Sequence, residues 1–67
     1  MDSKEIHATM RKRLPVMYEG VKYERIIEYI SWYDKAGQHQ LSAVLLQGRA
    51  SFRVPADKVE RMDNDRS

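Results

Sequence analysis

Asp34-Lys35-Ala36-Gly37 lies between two runs of sheet-forming residues, YERIIEYISWY before it and HQLSAVLL after it. The tetrapeptide suits a hairpin loop, a type I turn closed by a glycine in the left-handed region. The second run alternates, with Leu41, Ala43 and Leu45 on one side and Gln40, Ser42 and Val44 on the other. The first run is harder to read. Tyr23, Ile26, Ile27 and Ile30 fall at i, i+3, i+4 and i+7, which is helical spacing. Residues 23–34 nevertheless hold three Ile, three Tyr and one Trp, a composition that favours a pleated sheet. A bulge near Glu28 lets a strand bury residues on both sides of the Ile26-Ile27 break. The favoured reading is a strand pair about the loop. The alternative is a helix over 23–33, which would give an α+β fold with a three-stranded sheet.

The flanking segments fit the strand reading. Residues 2–14 read as a short helix, with Asp2 and Glu5 as a capping box and Ile6, Met10 and Leu14 as a narrow apolar stripe. Pro15 disfavours helix at Leu14 and sets the end. VMY at 16–18 reads as a strand, Glu19-Gly20 as a turn, and a new strand starts at Val21. Gln47-Gly48-Arg49 is the next turn, followed by a strand carrying Ala50, Phe52 and Val54 on one face. Pro55 has no N–H and stops that ladder. Pro55-Ala56-Asp57-Lys58 is turn chemistry, and Val59 opens a last strand that would pair with the first. The expected fold is mainly β, a small five-stranded barrel over 15–62 preceded by an α-helix over 1–14, with 63–67 as a polar, disordered tail.

Composition removes several classes of function. A chain of 67 residues makes one domain that hides only about 60% of its unfolded surface. There is no cysteine, so no disulfide or thiolate metal site, in keeping with a reducing cytoplasm. No apolar run approaches the ~18 residues of a membrane span, and MDSKEIHATMRKRL lacks the apolar centre of a signal peptide. Twelve Lys and Arg against ten Asp and Glu leave a net charge of +2, with one basic run at Arg11-Lys12-Arg13. That is little positive charge for a dedicated nucleic-acid domain.

Two resemblances follow from these residues. The short strands from residue 16, the loop at Asp34 to Gly37, the turn at Gly48 and Val54-Pro55-Ala56-Asp57-Lys58-Val59 resemble the SH3-like barrel class over about residues 16–60. The last of these is similar to the 3₁₀ turn before the final strand of SH3 domains. The acidic loop and paired tryptophans of peptide-binding SH3 domains are missing, so their proline-rich ligands are not implied. Arg13-Leu14-Pro15-Val16, Tyr23 through Trp32 and Phe52 through Val59 resemble short uncharacterised proteins of integrative conjugative elements of Gram-positive bacteria. That resemblance implies a bacterial cytoplasmic accessory protein of a mobile element and no established activity.

Candidate chemistry is sparse. His7 and His39 sit on the helix and beside the hairpin loop, where solvation is the simpler role. Glu24 and Glu28 could pair as acid and base, but Lys22 and Arg25 beside them favour surface ion pairing. Two histidines 32 residues apart match no ligand spacing, and Gly20, Gly37 and Gly48 are isolated turn residues. No catalytic, metal or cofactor site is expected, nor an enclosed pocket of the ~300 Å³ small ligands need. The first functional expectation is a non-catalytic module that binds a protein partner through Tyr29 and Trp32, residue types common at interface centres. The alternative is a small nucleic-acid-binding barrel with Arg25, Arg49 and Arg53 on phosphates and exposed tyrosines as stacking platforms. Against it, a small barrel needs its bulky aromatics inside. A second alternative is a homo-oligomer, since a monomer or weak homodimer suits so meagre a core.

Overall fold

The computed structural model describes residues 1–62; the expectation for 63–67 lies outside them. A helix α1 (Ser3–Lys12) is followed by strands β1 (Val16–Tyr18), β2 (Val21–Tyr23), β3 (Arg25–Tyr33), β4 (His39–Gln47) and β5 (Ala50–Pro55). A 3₁₀ turn (Ala56–Lys58) then leads into β6 (Val59–Arg61). The strands form two antiparallel sheets of three, ordered β2-β1-β6 and β3-β4-β5. The fold is mainly β with one N-terminal helix.

Six strands replace the five expected because the second is cut at Glu24. The Glu24 backbone N–H leaves the small sheet and donates to the Leu46 carbonyl at 2.8 Å. The Glu24 carboxylate accepts the Gly48 backbone N–H. One continuous stretch, 21–33, therefore serves both sheets. The closed barrel is corrected as well. First and last strands do pair, Tyr18 opposite Val59 and Val16 opposite Arg61. Among the described residues no ladder joins β5 to the small sheet. Pro55 withholds its N–H and the 3₁₀ turn follows at once, so the chain leaves one sheet before it enters the other.

The helical alternative for 23–33 is excluded, since Arg25–Tyr33 is a nine-residue strand. Its register shifts between Ile26 and Glu28, which leaves Ile27 as the bulged residue. Ile26 thereby keeps the core side while Glu28 faces out beside Val44. In the hairpin loop Gly37 has φ 81°, and its N–H donates to the Asp34 carbonyl at 2.9 Å.

The helix is shorter than the expected 2–14. Its start follows the capping box, with the Glu5 N–H on Asp2 Oδ1 at 2.8 Å and the Asp2 N–H on Glu5 Oε1 at 3.4 Å. Its end comes before Pro15 acts. Arg13 turns left-handed, φ 55°, and the N–H groups of Arg13 and Leu14 donate back to the Met10 and Thr9 carbonyls. This is the paired closure of a Schellman cap. Leu14 is thus thrown off the stripe into solvent, and Thr9 is buried in its place.

The core is aliphatic: Ile6 from the helix with Val16, Ile26, Ala43, Leu45, Val54, Ala56 and Val59. Ile6 is fully buried and docks the helix on the sheets. The Met1 amine adds a hydrogen bond of 2.8 Å to the Ala56 carbonyl. The expectation that the bulky aromatics fill the interior is overturned. Trp32, Tyr33 and Phe52 are exposed, and Tyr18, Tyr23 and Tyr29 only border the core. Between two three-stranded sheets the inward positions are few, and small side chains take them.

Candidate interaction surface

Strand alternation fixes which residues share the side of β3-β4-β5 that faces away from the core. Ala43 and Leu45 of β4 point inward, so Gln40, Ser42, Val44 and Leu46 point outward. Cross-strand register adds their neighbours. Ser42 lies between Ile30 and Pro55, Val44 between Glu28 and Arg53, and Leu46 between Arg25 and Ser51. Trp32 sits one rung beyond, opposite Gln40.

The outcome is a partly apolar face. Ile30, Val44 and Leu46 are half-buried, and Trp32 is 39% exposed. Trp32 is held in place rather than loose. Its indole Nε1 donates to Ser42 Oγ at 3.2 Å, which places that buried hydroxyl against the indole edge. The Arg53 guanidinium lies 5.8 Å from the indole centroid, within cation–π range. An aromatic anchor with a satisfied N–H and a cation over its ring has lost much of its rotamer freedom before any partner arrives.

The five residues expected at interfaces are divided by this geometry. Trp32, Arg53 and Arg25 share the outer face. Tyr29 does not. It pairs with Ala43 on the core side, where its ring meets the His7 ring edge-on at 4.5 Å. Tyr29 therefore acts as packing between helix and sheet. Arg49 occupies the turn between β4 and β5, at the rim. The helix lies against the core side through Ile6 and His7, so the basic run Arg11-Lys12-Arg13 is no part of this surface.

The apolar floor made by Ile30, Val44 and Leu46 was missed in the sequence. Its signal is there: β4 is apolar on both faces after Ser42, a pattern of strands covered on both sides.

Other chemistry finds little footing. Ser31 Oγ and the His39 ring are in hydrogen-bond contact at the loop end of the hairpin, and the Tyr33 ring lies 5.2 Å from His39. A nucleophile and a base are thus in reach, but both are exposed, and no carboxylate among the described residues orients the ring. An open depression of about 360 Å³ lies beside them, bordered by Met1, Asp2, Leu41, Pro55 and Asp57. It is roomier than expected, yet it is a surface groove. No group of three or more metal-ligating side chains is found among the described residues. No helix among them is long and apolar enough to cross a membrane. Comparisons with protein-family models, with curated proteins and with solved structures found no match.

Proposed function

We propose that this protein is a non-catalytic binding module that engages a protein partner through the outer face of β3-β4-β5, with Trp32 as its anchor. In the setting implied by the mobile-element resemblance it would serve as a cytoplasmic accessory protein. The observation that carries the reading is the fixed Trp32, hydrogen-bonded to Ser42 and overlaid by Arg53, beside half-buried Ile30, Val44 and Leu46. Interface centres combine an aromatic or arginine anchor with an apolar floor. The fold that presents it is an SH3-like arrangement. Its support is the second strand bent between two sheets, the pairing of first and last strands, and the 3₁₀ turn after Pro55.

Nucleic acid is the competing occupant. Arg25 and Arg53 favour it, while Glu28 on the same face repels phosphate. The test compares the wild-type chain with Val44→Glu, after amide spectra show that the variant is folded. Affinity capture from a bacterial lysate that also contains the untagged chain should recover a saturable protein partner that Val44→Glu loses. Titration with random oligonucleotides at two salt concentrations should give dissociation constants weaker than about 1 mM at low salt. Tight, salt-dependent oligonucleotide binding, or capture indifferent to Val44→Glu, would overturn the reading.

A further inference from the structure

We infer that the occupant of this face is a second copy of the same chain, related by a two-fold axis that runs in the interface along β4. The inference rests on the reading of the face given above and names its partner. Glu28, Val44 and Arg53 form one rung across β3, β4 and β5. With strands about 4.8 Å apart, the Cα positions of Glu28 and Arg53 stand about 10 Å apart on either side of Val44, and the Arg53 guanidinium reaches from its rung to the Trp32 indole, 5.8 Å from the ring centroid. Among the described residues no ion pair engages Glu28 or Arg53 within the chain.

Turning a second copy by 180° about β4 lays its β5 over the first copy's β3. The Glu28 position then lies over the partner's Arg53 position and the reverse, so that each Arg53 guanidinium reaches the partner's Glu28 by swinging off the Trp32 indole. Val44 and Leu46 meet their own counterparts, and Ile30 meets the partner's Pro55. Packed sheets cross at about 30°, and at this distance from the axis that rotation shifts the Glu28 and Arg53 backbone positions by only about 2.5 Å, within the reach of both side chains. The other in-plane axis, perpendicular to the strands, sets Glu28 on Glu28 and Arg53 on Arg53, and like charges suppress it. The charge pattern thus selects one isologous arrangement, in which a single patch complements itself. The core favours it too: eight residues, two of them alanine, with the indole left outside. A three-stranded face buries on the order of 1,000 Å² in total, the low end for specific association, so the dimer is weak and concentration-dependent.

Sedimentation equilibrium of the full chain from about 10 μM to about 1 mM tests it, a range bracketing weak association. The wild-type mass should rise toward twice the monomer. Glu28→Arg and Arg53→Glu should each weaken association about tenfold or more, because each sets like charges together. Their equimolar mixture should recover it, and so should the double variant, whose charges are exchanged on both sides. Amide spectra establish folding of each protein. Should a reversal fail to fold, Glu28→Gln and Arg53→Gln remove the attraction alone and should weaken association several-fold. Wild type that stays monomeric throughout, or single variants that associate as wild type does, overturn the inference. A double variant no better than the single ones overturns it as well. A monomeric wild type leaves the reading of the face standing, which falls if partner capture ignores Val44→Glu or if oligonucleotides bind tightly.

Discussion

Glu19 and Gly20 form the two-residue loop between β1 and β2, and both have positive φ, 52° and 78°. That is the signature of a type I′ turn, which matches the twist of the strands it joins. Glycine meets the requirement without strain, whereas Glu19 adopts a conformation that costs most L-residues roughly 1–2 kcal/mol. Asparagine tolerates it better. Glu19→Asn should therefore stabilise the fold by about 1 kcal/mol, a rise of about 4–8 °C in melting temperature. Thermal unfolding followed by circular dichroism checks this, and an unchanged midpoint would contradict the assigned strain. Asp34 is a second residue with a local role. Its carboxylate accepts the backbone N–H groups of Gln38 and Ala36, both at 2.9 Å, and the Gln40 side-chain amide at 3.0 Å. The Gln38 N–H foremost holds the carboxyl below its ordinary value of 3.8, against an opposing effect of burial. A depressed folded pKa means the stabilisation is complete above the unfolded value and is lost as pH falls through the folded one. The hairpin loop should loosen in that acid range. A carboxyl-carbon NMR titration should place the Asp34 midpoint below 3.8, and a midpoint at or above it would refute the hydrogen-bond account.

At the scale of elements, Ile6 is the helix's one fully buried hydrophobic side chain. Ile6 is fully buried among residues of both sheets, while Leu14, the far end of the apparent stripe, is exposed. Ile6→Ala should cost about 3 kcal/mol. A single small core supplies roughly 3–5 kcal/mol in all, so the variant should populate the unfolded chain at room temperature. Urea unfolding measures it, and a loss below about 1 kcal/mol would mean the helix is not part of the folding unit. Several elements are legible in the sequence alone. The capping box, the Asp34–Gly37 loop, the proline that ends β5 and the Ile26-Ile27 break each have a local cause, and local causes survive in sequence. The helix end was not legible, because arginine is no usual left-handed cap and nothing nearby announces that Arg13 will adopt one.

At the scale of the molecule, what escaped the sequence is what depends on distant pairing. The mainly β fold with its N-terminal helix followed from strand and turn chemistry. The division into two sheets did not, since Glu24 meets Leu46 and Gly48 only after the chain has folded back. The placing of aromatics failed for a related reason: bulk alone does not say which side of a strand is inner, and the bulge at Ile27 decides it for Tyr29 and Trp32. With that bulge known, Trp32, Arg25 and Arg53 fall on one face and Tyr29 on the other.

The passage of one unbroken stretch from the first sheet into the second at Glu24 has a thermodynamic consequence. Neither layer can be peeled away while the other persists, because detaching β2 drags on β3 and melting β3 strips the anchor from β2. The domain should accordingly lose its order in one cooperative step, with no half-folded species for a protease or a chaperone to seize.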